Sequence, residues 1–138
     1  MKTDGPVAEV MTPHPRSVQV DQQISDVRKA LEDGRVHHLP VVEGKRVVGI
    51  ISTTDLLELG FKPRDSHEDL DAYLDGQFKI RDVMHTDVIT LPSGSTVRDA
   101  ARVLRTGVFH AVPVVDNEQN LLGIVTSTDI VSYVASRD

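Results

Sequence analysis

Branched aliphatic residues along this chain come in short runs separated by polar turns, and the same order of runs occurs twice. Ser17-Val18-Gln19-Val20 and Ile89-Thr90-Leu91 read as short strands, the second closed by Pro92 and Gly94. A helical spacing follows each: Ile24, Val27, Ala30 and Leu31 share one face, as do Val97, Ala100, Val103 and Leu104. Thr96 with Asp99 three residues later has the form of a capping box, and Gln23 with Asp26 is a poorer version of it. Gly34 and Gly107 stand where a C-terminal cap belongs. Two β-rich runs, Leu39 to Val42 and Val47 to Ile51, joined by a polar turn, then predict a hairpin.

Each copy ends on a strand-to-helix corner. Val48-Gly49-Ile50-Ile51-Ser52-Thr53-Thr54-Asp55 returns as Leu122-Gly123-Ile124-Val125-Thr126-Ser127-Thr128-Asp129. A helix opened by the Asp continues through Leu56-Leu57 in one copy and Ile130-Val131 in the other. The offset between copies is 84 − 11 = 73 at Met11 and Met84, and 129 − 55 = 74 at the terminal Asp. The turn Asp116 to Asn120 holds the extra residue, where a hairpin best tolerates one.

The predicted unit is therefore β-α-β-β-α, present at about 7–60 and 80–134. One such unit buries little surface alone, so the expected fold is α+β, the two repeats packed sheet to sheet about a pseudo-two-fold axis. Residues 61–79 form a linker. Within it, Ser66 followed by Asp69, with Leu70, Tyr73 and Leu74 on one face and Gly76 at the end, predicts a short capped helix packed on the repeats.

Composition narrows the chemistry. The 138 residues include no cysteine, which removes disulfides and thiolate metal sites and fits a cytoplasmic protein. No apolar run approaches the roughly 20 residues that cross a bilayer, so no membrane role is expected. Fifteen Lys and Arg against 21 Asp and Glu give a net charge of −6, which argues against non-specific nucleic-acid binding.

At each corner, hydroxyls and a carboxylate converge on a helix start whose first N–H groups lack intrahelical partners. That combination suits a phosphorylated sugar: Asp55 and Asp129 for ribose hydroxyls, and Ser52, Thr54, Thr126 and Thr128 for phosphate. The competing reading makes each acid an N-cap, which needs no ligand. The adjacent His37 and His38 point to opposite faces of an extended segment, and no Cys or Glu-x-x-His spacing joins them or His110, so they are not read as metal ligands. Ser52 lacks a Gly-x-Ser-x-Gly setting and has a threonine as its twin, so no enzyme is expected.

In this order the motifs resemble the CBS domain, the family named after cystathionine beta-synthase, and its tandem form, the Bateman module. The resemblance rests on Val10-Met11-Thr12 and Val83-Met84-His85, on His37-His38-Leu39-Pro40-Val41 and His110-Ala111-Val112-Pro113-Val114, and on the two corners. It implies a regulatory module that requires no cofactor and binds an adenosine-containing ligand (AMP, ADP, ATP or S-adenosylmethionine) in the cleft between the repeats. It also implies a homodimer and an output partner protein. Carried over by position, the segments Thr12, Pro13, His14, Pro15 and His85, Thr86, Asp87, Val88, with Pro40 and Pro113, would line the adenine pocket. His37, His38 and His110 would reach the phosphates, although the His-Arg pair of nucleotide-binding relatives is His37-His38 in one copy and His110-Ala111 in the other. The alternative implied is a ligand-free dimerisation and protein-interaction scaffold.

Overall fold

The structure is a computed structural model that describes residues 5–59 and 67–136, at 67–69 the backbone alone. In chain order the elements are a 3-10 turn at Val7–Glu9, β1 (Thr12–Pro13), β2 (Val18–Gln19), α1 (Ile24–Gly34), β3 (His38–Glu43), β4 (Arg46–Ser52) and α2 (Thr53–Glu58). Then follow α3 (His67–Gln77), α4 (Ile80–Val83), β5 (Leu91–Pro92), α5 (Val97–Leu104), β6 (Ala111–Val115), β7 (Leu121–Thr126) and α6 (Ser127–Ala135). The fold is α+β, and the β-α-β-β-α order occurs twice, as β2-α1-β3-β4-α2 and β5-α5-β6-β7-α6.

The chain divides into two compact units, and each combines the body of one copy with the leading segment of the other. One unit contains residues 5–15, 45–47 and 89–136; the other contains 16–44, 48–59 and 67–88. In the first, β1 pairs antiparallel with β7, setting Thr12 opposite Ile124, and the sheet order is β1-β7-β6-β5. The same leading segment is fastened at Val7, whose N–H donates to the Ser95 carbonyl, and at Gly5, whose carbonyl accepts from Val97 N–H. Val7, Leu91, Ala100, Leu104, Val112, Val114 and Val125 form that unit's core.

The second unit repeats the plan. β2 runs parallel to β3, with α1 as the crossover that parallel pairing requires, and the sheet order is β2-β3-β4. Ile24, Val27, Leu31, Leu39, Val41, Ile51 and Leu56 fill the core, joined by Leu74 of α3 and Ile80 of α4. The periodicity assigned the buried faces of α1 and α5 as found, with Ile24 and Val27, and Val97 and Ala100, all buried.

Local details differ from expectation for identifiable reasons. Pro92 lies within β5 instead of closing it, which costs little because β5 is an edge strand and proline lacks only the N–H that an edge can spare. Gly34 is the last helical residue, and Arg35 takes the left-handed cap at φ 51°. Gly34 instead provides room, since a Cβ there would stand 2.7 Å from Arg16 Cδ. On α3, Leu74 is buried but Tyr73 is 56% exposed, and Gly76 is helical. The proposed cap at Ser66 lies outside the described residues. Among the described residues no helix is long and apolar enough to cross a membrane.

Candidate functional site

The two corners are built alike. β4 delivers Ser52 in an extended conformation (φ −124°, ψ 166°), and its Oγ accepts the Asp55 N–H at 3.3 Å. Asp55 Oδ2 in return accepts the Ser52 N–H at 2.7 Å and the Ser52 hydroxyl at 3.0 Å. In the other unit, Thr126 Oγ1 accepts the Asp129 N–H at 3.2 Å, and Asp129 Oδ2 accepts the Thr126 N–H at 2.8 Å. These are capping boxes: the hydroxyl residue is the N-cap, the helix opens at Thr53 or Ser127, and the acid sits at the third helical position. The expectation that the Asp itself opens the helix is thereby corrected. Ser52 and Thr126 are accounted for by capping, and Thr54 and Thr128 are the hydroxyl residues of each corner left exposed.

A leading segment reaches each corner from the other copy. In the second unit the chain leaving α4 forms an antiparallel bridge at Ile50, with Ile50 N–H donating to the His85 carbonyl at 3.0 Å and His85 N–H to the Ile50 carbonyl at 2.9 Å. Gly49 permits this approach, because a Cβ there would lie 2.6 Å from Met84 Sδ and 2.9 Å from the His85 carbonyl. In the first unit Gly123 admits Met11 and Thr12 in the same manner, with 2.5 Å to Met11 Sδ and 3.0 Å to the Thr12 carbonyl. His14 follows at φ 48°, its N–H donating to the Leu122 carbonyl at 3.1 Å.

The predicted residues thus collect into two groups. Ser52, Thr54, Asp55 and the segment His85, Thr86, Asp87, Val88 belong to one unit; Thr126, Thr128, Asp129 and the segment Thr12, Pro13, His14, Pro15 belong to the other. The carbonyls of His37 and His110 accept the N–H groups of Thr53 and Ser127 at 3.0 and 3.1 Å, tying each histidine's backbone to the corner. The His37 side chain lines a cavity of about 320 Å³ between α1 and α2, with Leu31, Val36 and Leu56 as apolar wall and Arg35 and Thr53 beside it. Neither Ser52, Thr54 nor Asp55 lines that cavity. His38 is half-buried at the start of β3, and Pro40 and Pro113 are buried within β3 and β6.

One contact had no signal in the sequence. His85 Nε2 stands 2.8 Å from Asp55 Oδ1, joining residues thirty positions apart. Asp55 is 8% exposed and the His85 side chain 60% exposed, so the imidazole lies on the solvent side of the carboxylate. Among the described residues no group of three or more His, Cys, Asp or Glu is placed to hold a metal ion.

A profile of the CBS domain matches residues 7–62 and again 80–136. Protein MJ0188 of Methanocaldococcus jannaschii is 31% identical over 128 residues, which take in 91% of this chain and 42% of that protein. The chain spans less than half the length of several curated relatives it matches, between 22% and 42% for four of them. Among solved structures, CBSX2 of Arabidopsis thaliana in complex with AMP superposes with a TM-score of 0.78 at 27% identity, covering 95% of this chain and 96% of that one. The CBS domain pair of protein MJ0100, in complex with 5′-methylthioadenosine and S-adenosyl-L-methionine, gives 0.79 at 25% identity, covering 98% and 99%.

Proposed function

The chain belongs to the CBS domain family, and from that premise we propose that it is a non-catalytic cytoplasmic regulatory module that binds an adenosine-containing ligand and reports its presence to a partner protein. AMP, ADP, ATP and S-adenosylmethionine are the candidate ligands. The observation that carries this reading is a duplicated arrangement in which the other copy's leading segment pairs with the strand that delivers each corner acid, His85 with Ile50 ahead of Asp55 and Thr12 with Ile124 ahead of Asp129. The acid accepts ribose hydroxyls, the exposed Thr54 or Thr128 hydroxyl donates to phosphate, and the extended segment offers backbone groups to a base. The AMP bound by CBSX2 and the S-adenosyl-L-methionine bound by the MJ0100 domain pair support this ligand class. The ligand signals only to the extent that it binds two states of the module with different affinity.

Leu57 and Val131 occupy equivalent positions of the two copies and are 49% and 66% exposed. Apolar residues repeated on the open sides of α2 and α6 favour a homodimer, and they equally favour the scaffold reading in which protein contact is the whole function. Thermal denaturation with AMP, ATP and S-adenosylmethionine separates the two. A ligand at a hundred times its dissociation constant adds about 2.7 kcal/mol of stability. No shift with any of them, together with a concentration-dependent dimer, would leave the scaffold.

A further inference from the structure

We propose that the two corners are unequal, the Asp129 corner being the primary ligand site and the Asp55 corner being closed by the His85 imidazole; this rests on the ribose-binding reading above. The comparison between corners follows from strand register. Thr12 lies opposite Ile124, and His85 lies opposite Ile50, and Ile50 and Ile124 are the same position of the two copies. Thr12 and His85 are therefore structural twins with different chemistry.

That difference decides the state of each carboxylate. Asp55 has both oxygens engaged, Oδ2 by the Ser52 N–H and hydroxyl and Oδ1 by His85 Nε2 at 2.8 Å. Asp129 has Oδ2 engaged by the Thr126 N–H at 2.8 Å, and among the described residues nothing is bonded to Oδ1. A ribose diol donates two hydroxyls and needs an outward-facing carboxylate oxygen. At Asp129 that oxygen is available. At Asp55 the diol must first displace an imidazole that lies between the acid and solvent, giving up a hydrogen bond to a charged acceptor before any new one forms. The exposed His85 side chain has room to swing away, so the corner is weakened for ligand and not abolished.

The test is calorimetric titration of the full chain with AMP. Wild type is expected to show one strong site and a second roughly ten- to a hundredfold weaker. His85→Thr, which gives the Asp55 corner the residue of its twin, should tighten the weak step toward the strong one. Thr12→His should weaken the strong step by a similar factor, and so should Asp129→Ala. Two equal sites in wild type, or a weak step that His85→Thr leaves unchanged or weakens, overturns this inference and leaves the proposed function standing. Absence of AMP binding to both wild type and His85→Thr overturns the inference together with its premise.

Discussion

Arg28 of α1 and Asp71 of α3 meet in a two-pronged ion pair, Nε 2.7 Å from Oδ1 and Nη2 2.6 Å from Oδ2, across 43 positions of sequence. Arg28 is 5% exposed and also reaches Glu32 at 2.9 Å. The hydrogen bonds it donates to Asp71 hold its guanidinium pKa above the ordinary value, against the opposing effect of burial. One turn along α3, Asp75 accepts the Ser25 N–H at 2.9 Å and the Ser25 hydroxyl at 2.6 Å. α3 is thus fastened by two acids flanking the buried Leu74.

Removing one partner of this pair strands a buried charge, so Asp71→Ala is expected to destabilise the fold by about 3 kcal/mol in urea titration. Glu32 retains part of the pairing and sets that figure at the low end of the range. The double change Arg28→Met with Asp71→Leu should recover most of the loss, because the desolvation penalty leaves with the charges. A single-variant loss below about 1 kcal/mol would show the pair to be incidental.

The elements inside each copy were legible because their signals are local. Apolar spacing set the faces of α1 and α5, and Thr96 with Asp99 forms the capping box read from the sequence, the acid accepting the Thr96 N–H at 2.9 Å. What escaped was non-local. Nothing in the spacing of Met11 or Met84 tells which copy its segment will join, and the exchange of leading segments is seen in the pairing of Thr12 with Ile124 and His85 with Ile50. Nothing in the local sequence marks Arg28 as buried, since its partner Asp71 comes from the linker. For the candidate site, the duplicated strand-to-helix corner was legible and the contact made by Asp55 was not, since His85 reaches it from thirty positions away.

Gly49 and Gly123 hold the exchanged segments close, which makes them sensitive to a single methyl. The Met84 and Met11 thioethers can bend aside, but the His85 and Thr12 carbonyls at 2.9 and 3.0 Å belong to paired backbone and cannot. Gly49→Ala and Gly123→Ala should each cost about 1–3 kcal/mol by overpacking. Gly123→Ala should also weaken AMP binding by displacing Thr12 to Pro15 from the Asp129 corner. Unchanged melting in both variants would mean that the close approach carries no constraint.

Asp129→Ala is expected to lower nucleotide affinity roughly ten- to a hundredfold, the worth of a charge-assisted hydrogen-bond pair. It also deletes half of a capping box, a loss of about 1 kcal/mol, so affinity is to be compared at a temperature where both proteins are folded. Asp55→Ala should leave the strong binding step in place. The ribose assignment fails if neither substitution changes affinity.

The turn that carries the extra residue of the second copy provides a pH signature. Asp116 Oδ1 accepts the N–H groups of Glu118 and Asn120, both at 2.9 Å, and Oδ2 accepts Asn120 Nδ2 at 3.1 Å. The Asn120 backbone bond is the largest influence holding this carboxyl below its ordinary 3.8, and at Asp99 the backbone bond from Thr96 does the same. A carboxyl depressed in the folded state stabilises that state above its unfolded pKa, and the contribution disappears as pH falls through the folded value. Asp116→Asn keeps one acceptor oxygen but cannot ionise. Its melting temperature should therefore lie below that of wild type by a constant margin above about pH 5, and the margin should close between 3.8 and lower pH. Thermal melts at pH 7, 5, 4 and 3 measure this directly, and a margin that persists undiminished at pH 3 would assign the role of Asp116 to turn geometry alone.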